Sequence, residues 1–186
     1  MFLFDRLFGS KKKAAPAAEI PSPAPAATAA ETTRKAAGPS APGTQIRYDP
    51  DLIGNLKEDH QSMLEIFTAI GAALDTGELQ TVQTRLNQFR AALMDHLLKE
   101  NVRLYVYLEH FLETDAVSHE LMRGFRHEMD GIGRVVVEFL GKYKDIGLHA
   151  ELAEPFRTDL VAIGEALVSR IRREEEILYP MYLPVA

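Results

Sequence analysis

Cysteine and tryptophan are both absent from this chain of 186 residues. Without a thiol, the protein has no disulfide scaffold, zinc-thiolate site, iron–sulfur cluster or cysteine nucleophile. Six histidines are present, so a protein metal site would have to use imidazole and carboxylate groups. The sequence also lacks a glycine-rich phosphate loop and a Gly-x-Ser-x-Gly nucleophile motif. We therefore expect a binding protein that is not an enzyme.

Basic charge is scarce, because 27 acidic residues outnumber 21 basic ones and give a net charge of -6. Nucleic-acid backbones are bound by clustered Lys and Arg, so we expect no nucleic-acid partner. Residues 1–46 nevertheless carry six basic and three acidic side chains, which leaves the remaining 140 residues with a net charge of -9. The charge pattern predicts two regions of different character.

Residues 1–13 combine large apolar side chains with three consecutive lysines at positions 11–13. The apolar residues are Phe2, Leu3, Phe4, Leu7 and Phe8. In a secretory signal the positive charge precedes a longer apolar stretch, whereas here it follows. We expect an amphipathic basic segment that docks on an anionic membrane surface or in the groove of a protein partner, a frayed terminus being the alternative. Without an export signal, the predicted location is the cytoplasm, free or peripheral at the inner membrane.

Residues 14–47 form a region rich in alanine and proline. Ala and Pro fill 18 of the 32 positions from 14 to 45, and no aromatic residue occurs between Gly9 and Arg47. Such a composition favours extended, polyproline-like conformations and offers little apolar surface to bury. We expect a disordered linker, and with residues 1–13 a disordered N-terminal tail.

Residues 48–186 show helical periodicity of their apolar residues in four successive stretches. Helices are predicted over about 53–74, 86–107, 117–143 and 155–179, with Asp75, Thr76 and Gly77 as a turn and Pro180 as a stop. Four helices with short connections form an antiparallel up-down-up-down bundle. The expected fold class is all-α.

Five polar residues fall on the apolar stripes that should face the core. They are His60, His96, Glu100, Arg170 and Glu174. A buried charge costs several kcal/mol unless it is paired or bound to a metal, so these groups should interact. His96 and Glu100 lie one turn apart on one helix face. An imidazole and a carboxylate in that arrangement, opposed by His and Glu from other helices, are typical of non-haem iron or manganese sites in bundles.

Three segments resemble the hemerythrin-like (HHE cation-binding) domain family. Residues 56–64 are similar to its first helix, residues 94–100 to its second, and residues 169–180 to its fourth, whose pattern is His-Ile-x-x-Glu-Glu-x-x-Leu-Phe/Tyr-Pro. The resemblance extends over about residues 50–182. It implies two irons: one bound by histidines of helices three and four, the other by histidines of helices one and two, with two bridging carboxylates.

The chain departs from the family pattern at two positions. Arg170 stands where the fourth helix should supply a His, and an arginine does not act as a ligand because it keeps its proton. Met129 stands on the third-helix stripe, while His127 should face solvent. The resemblance therefore leaves one ligand set: His60, His96, Glu100 and Glu174. We expect Arg170 to neutralise both Glu100 and Glu174, and the rest of the charged run at 172–176 to be mostly solvated.

Three interpretations stay open from these residues. One is a site with a single metal, in which Arg170 replaces the other ion. The second is a polar core without metal. The third is an intact di-iron centre that uses His127 or His119 instead.

The expected function is a sensory or regulatory bundle with non-haem iron, which binds a diatomic gas such as oxygen or nitric oxide. An alternative is a metal-free protein-interaction regulator. Residues 89–95 and 161–170 also resemble, more weakly, the regulator of sigma D family, four-helix proteins that bind a sigma factor. An acidic bundle could attract a basic surface of that kind.

Overall fold

The computed structural model describes residues 40–184 of the chain. These residues contain five α-helices: α1 (Leu52–Asp75), α2 (Leu79–Lys99), α3 (Tyr105–Phe111), α4 (Ala116–Lys142) and α5 (Ala153–Arg173). The first π segment, Glu100–Leu104, joins α2 to α3 without a break. The second π segment, Glu174–Leu178, continues α5 into a 3-10 turn at Tyr179–Met181. Counted as continuous runs, these are the four helices that the periodicity predicts.

The helix ends follow local signals in the sequence. Gly77 ends the α1 region with a φ of 74°, a left-handed conformation that glycine adopts without strain. Asp115 caps α4, because its side chain accepts hydrogen bonds from the backbone N–H groups of Val117 and Ser118. Two short 3-10 turns, Ile146–Leu148 and Ala150–Leu152, lie in the connection to α5. The short connections agree with an up-down-up-down bundle, and the described residues contain no β-strand.

Two apolar clusters fill the bundle, one on each side of a polar layer. The first includes Met63, Leu93 and Ile163, and the second includes Leu56, Leu104 and Leu178. The polar stripe residues lie between these positions along each helix. They are thus held between two layers of packed hydrocarbon, where water has little access and electrostatic interactions are strong.

Both π segments begin at a glutamate that the sequence places in the core. The backbone N–H of Tyr105 donates to the carbonyl of Glu100, and that of Tyr179 donates to the carbonyl of Glu174. π-helical turns are rare and often occur at functional sites. The apolar period did not predict them, because one wide turn hardly alters a pattern of 3.6 residues.

The N-terminal predictions are mostly beyond the described residues. The amphipathic segment at 1–13 and positions 14–39 of the linker lie outside them. Residues 40–47, which we assigned to the linker, form a turn instead: the backbone N–H of Ala41 donates to the carbonyl of Ile46, and Ala41 is 1% exposed against the second apolar cluster. A positive φ at Gly43 and the Thr44 hydroxyl, which donates to the Ala41 carbonyl, stabilise that turn.

None of the helices within residues 40–184 combines the length and apolar character needed to cross a membrane.

Candidate metal centre

The polar layer consists of the five side chains that the sequence placed on the inner stripes. His60, His96, Glu100, Arg170 and Glu174 are all at most 4% exposed, and among residues 40–184 they are the only buried polar or charged side chains apart from tyrosines. They come from α1, α2, α5 and the first residue of each π segment. The prediction that these residues meet in the core is confirmed.

Three of the four predicted ligands form a compact group. One donor atom each from His60, His96 and Glu174 lie within 4.8 Å of one another. His60 Nε2 is 3.2 Å from Glu174 Oε2. The two imidazole rings lie with their centroids 4.6 Å apart. This arrangement could hold a metal ion.

Glu100, the fourth predicted ligand, lies beside this group. Its Oε2 atom is 3.8 Å from His96 Nε2 and is buried without a hydrogen-bond partner. A carboxylate oxygen buried without a partner is costly. A cation bound between Glu100 and the imidazoles would satisfy it.

The outer nitrogen of each imidazole faces a carboxylate. His60 Nδ1 is 2.9 Å from Glu175 Oε1, which makes a hydrogen bond. His96 Nδ1 is 3.5 Å from Asp59 Oδ2, too long for a good hydrogen bond, and Asp59 is held in turn by Lys99 Nζ at 2.9 Å. Carboxylates hydrogen-bonded to the outer nitrogen orient metal-binding histidines. Here Glu175 does so for His60, whose Nε2 faces the centre, while Asp59 lies near His96 without a hydrogen bond to it.

Glu175 was not predicted as part of the centre, because the charged run at 172–176 was expected to be mostly solvated apart from Glu174. Its side chain is 32% exposed, so it lies at the edge of the stripe, where periodicity does not separate a partly covered residue from a solvated one.

Arg170 makes four hydrogen bonds on the other side of the layer. Its Nε donates to Glu174 Oε1 and its Nη2 donates to the Tyr105 hydroxyl at 2.9 Å. Its Nη1 lies 3.2 Å from the Phe125 carbonyl and 3.4 Å from Glu128 Oε2. These bonds fix the guanidinium in the part of the layer where the family pattern has a histidine.

The expected bond from Arg170 to Glu100 does not form. Glu100 Oε1 instead accepts a hydrogen bond from the Tyr179 hydroxyl at 3.1 Å. The guanidinium is a rigid planar fork with five N–H donors, and the four hydrogen bonds that it makes here go to Glu174, Tyr105, Phe125 and Glu128. Arg170 thus neutralises one of the two central carboxylates by direct contact.

Burial and neighbouring charges shift the pKa values of the histidines in opposite directions. Burial and the nearby His60 lower the pKa of His96 to about 4. Burial also acts to lower the pKa of His60, but Glu174 and Glu175 outweigh it and raise that pKa above its usual value. His96 is therefore neutral at pH 7, as a metal ligand must be.

The two central carboxylates also differ. Burial and the charge of Glu174 raise the pKa of Glu100 to about 8. Burial acts in the same direction on Glu174, but its bond to His60 and the charge of Arg170 outweigh it and lower that pKa. In the absence of a metal, Glu174 is the ionised carboxylate and Glu100 holds a proton.

The donor set fits a metal ion. Imidazole nitrogens with carboxylate oxygens suit iron, manganese and zinc. The unpartnered Glu100 oxygen and the neutral His96 lie where a cation would be bound. Because a bound cation favours ionised carboxylates, it would also remove the proton from Glu100.

The other candidate residues lie elsewhere. His127 is exposed on α4, as predicted, and His119 Nε2 lies 3.1 Å from Glu109. Met129 is half-buried against the first apolar cluster. Among the described residues, neither of these histidines belongs to a group of potential ligands, so the structure gives no support to a second iron bound through them.

Two tyrosines at the centre were not singled out by the sequence analysis. Tyr105 and Tyr179 are at most 2% exposed, and burial raises the pKa of each hydroxyl well above its usual range. A repeated spacing could have revealed them, since each follows a core glutamate by five positions.

Comparison with known proteins identifies one family. The family model described as the hemerythrin HHE cation binding domain matches residues 51–182. No curated protein matches the chain, and no solved structure does. The matched range includes all four predicted ligands and Arg170.

Proposed function

Because the chain belongs to the hemerythrin HHE cation-binding domain family, we propose that its bundle binds one non-haem iron ion and acts as a sensory or regulatory module. The ion would be held by His60, His96, Glu100 and Glu174. The observation that carries the proposal is the group of His60, His96 and Glu174 beside an unpartnered, buried oxygen of Glu100.

One ion is favoured over two because Arg170 already supplies a positive charge. The family resemblance implies a histidine at this position. Here a guanidinium donates hydrogen bonds to Glu174, to the Tyr105 hydroxyl and to the Phe125 carbonyl. A second divalent ion next to this fixed cation would meet strong repulsion in a region of low dielectric constant.

The residues of the centre have separate roles in this proposal. His60 and His96 direct their Nε2 atoms inward. Glu175 orients His60 from outside through a hydrogen bond, and Asp59 places a negative charge near the outer nitrogen of His96. Glu174 and Glu100 supply negative charge, of which Arg170 balances a part. The apolar clusters on both sides restrict water. A ferrous ion supplies affinity for small diatomic molecules such as dioxygen or nitric oxide.

We propose binding rather than catalysis. The five charged or imidazole side chains of the centre are at most 4% exposed, so a substrate larger than a diatomic molecule would have little access to them. A single iron also supplies fewer electrons than a di-iron centre, which argues against an ordinary oxygen carrier.

The proposal also gives the N-terminal segment a role as the output. Residues 1–13 would contact a protein partner or the inner surface of the membrane through apolar and lysine side chains, with the bundle in the cytoplasm and no nucleic acid as partner. Deletion of residues 1–13 should release the protein from the membrane fraction or the partner. Unchanged fractionation and unchanged capture of partners would contradict this role.

A thermal-stability measurement tests metal binding in the full chain. A ligand that binds only the folded state stabilises it by about 2.7 kcal/mol at one hundred times its dissociation constant. We expect anaerobic Fe(II) to raise the melting temperature of the wild type but hardly that of His96→Ala. No rise in the wild type would contradict the proposal and favour the metal-free, interaction-based alternative, which capture of a sigma factor would then test.

A further inference from the structure

Tyr179 lies at the centre of the polar layer with its hydroxyl among the candidate ligands. The side chain is 2% exposed. Its hydroxyl donates to Glu100 Oε1 at 3.1 Å and lies 3.2 Å from His60 Nε2. Its ring is nearly parallel to the His60 imidazole, with an angle of 10° and a centroid distance of 5.6 Å. The phenol oxygen therefore contacts two side chains that would bind the ion.

The second π segment accounts for this placement. In an α-helix of 3.6 residues per turn, positions three and four apart share a face, and a residue five positions after Glu174 would point away from it. The backbone bond from the Tyr179 N–H to the Glu174 carbonyl spans five residues instead. The wider turn brings Tyr179 back to the side of the helix on which Glu174 lies.

The distances are those of neighbouring ligands around one ion. With metal–ligand bonds of about 2.0–2.2 Å, two ligands at right angles are about 3 Å apart. His60 Nε2 and Glu174 Oε2 are separated by 3.2 Å. The Tyr179 oxygen has separations of 3.1 and 3.2 Å from Glu100 and His60, so it meets the same criterion as the expected ligands.

We propose that Tyr179 is a further ligand of the ion, bound through its phenol oxygen. This inference rests on the proposed metal-binding function and adds a donor to it. The metal–oxygen bond replaces the O–H bond, and the phenol proton is released to solvent in addition to the proton that Glu100 loses. Release of protons accompanies the binding of such ligands in general.

Tyr105 supplies a matched control within the same fold. It follows Glu100 by five residues, directly after the first π segment, and is 1% exposed. Its hydroxyl accepts from Arg170 Nη2 at 2.9 Å instead of contacting a histidine. Removal of the Tyr105 hydroxyl should therefore leave the ligand set intact.

Zinc titration of the full chain tests the proposal. Zn(II) prefers the same nitrogen and oxygen donors, binds such sites more tightly than Fe(II), and undergoes no redox change. The probe is the ultraviolet difference spectrum, in which ionised tyrosine has its own band, together with the dissociation constant. Circular dichroism establishes that each variant is folded.

We expect the wild type and Tyr105→Phe to gain the band of one ionised tyrosine per bound zinc. Tyr179→Phe should show no band, release one proton fewer and bind zinc at least about 10-fold more weakly. Zinc binding by the wild type without the band would overturn the proposal, whatever the variants do, and so would a band that survives in Tyr179→Phe. Failure of the wild type to bind zinc would contradict both this proposal and metal binding itself.

Discussion

The second and fourth helices of the bundle carry the same pattern with one residue changed. On the second helix, His96 is followed after four residues by Glu100 and after nine by Tyr105. On the fourth, Arg170 is followed by Glu174 and Tyr179 at the same spacing. Each glutamate begins a π segment, and each tyrosine follows directly after it. The difference between His and Arg then decides what each side of the layer can bind.

The two sides differ in how completely their polar groups are satisfied. Arg170 is bonded to Glu174, Tyr105, Phe125 and Glu128. On the side of His96, the Oε2 atom of Glu100 has no hydrogen-bond partner, and the inward-facing Nε2 atom of His96 lies 3.8 Å from it. An imidazole offers a lone pair whereas a guanidinium offers only donors. Arg170 thus supplies a positive charge to its own side of the layer. On the His96 side, the acceptor atoms have no such charge, and a bound metal ion would supply it.

Removal of Arg170 should have the largest effect on the metal-free protein. Arg170→Met leaves Glu174 without its cation and Tyr105 without its donor, and breaking a buried pair costs about 3–5 kcal/mol. Chemical denaturation should therefore show a loss of that size in the free energy of unfolding. Arg173→Met is the control: Arg173 pairs with Glu128 but is 42% exposed, so its loss should cost less than about 1 kcal/mol. If both variants lost the same free energy of unfolding, Arg170 would not be a buried charge on which the polar layer depends.

Removal of His96 should affect metal binding more than folding. His96→Ala takes away a neutral ligand, and we expect the dissociation constant for Fe(II) to rise at least about 100-fold, more than the effect of an outer-shell change. Isothermal titration under anaerobic conditions measures it. His127→Ala removes an exposed histidine and should leave the constant unchanged. An equal loss in both variants would mean that iron binds elsewhere.

Neutralisation of Glu175 should have a smaller effect. Glu175→Gln weakens the hydrogen bond that orients His60, and changes of this kind lower metal affinity by about 10- to 100-fold. Glu176→Gln alters the next residue, which is exposed, and serves as a matched control for charge. If the two variants bind Fe(II) equally well, Glu175 has no orienting role.

The smallest effect expected is on the pH dependence of stability without metal. Above pH 6.5, Glu100 keeps its proton in the folded state up to about pH 8, and the pKa of His60 is also raised. In the unfolded chain, both groups lose their protons at lower pH. The free energy of unfolding therefore falls as the pH rises from 6.5 to 8. His96 acts in the opposite direction only below pH 6.5.

We expect a loss on the order of 1 kcal/mol per pH unit in this range. Glu100→Gln should flatten the profile, because the amide cannot ionise, whereas Glu176→Gln should not. A profile that rises between pH 6.5 and 8 would show that Glu100 is ionised in the metal-free protein.

The sequence predicted the parts of the centre that depend on helical period. A polar residue on an apolar stripe has to be buried, so periodicity alone identified His60, Glu100 and Arg170 as core residues. It also predicted the number of helices and, from Met129 and Arg170, the loss of two family histidines.

The remaining parts depend on features that a 3.6-residue period does not contain. Tyr179 reaches the centre only because a π turn shifts its direction. Glu175 is partly exposed and resembles a solvated residue until its distance to His60 is known. The partner of Glu100 was predicted wrongly because Arg170 and Tyr179 both had suitable donors, and only the geometry decides between them.

The stoichiometry of iron binding tests the central claim most directly. The full chain would be reconstituted anaerobically with excess Fe(II), freed of unbound metal and analysed for iron and protein. We predict one iron per chain in the wild type, and much less in His96→Ala. Two irons per chain would contradict the role assigned to Arg170, and an iron-free protein would contradict the metal centre.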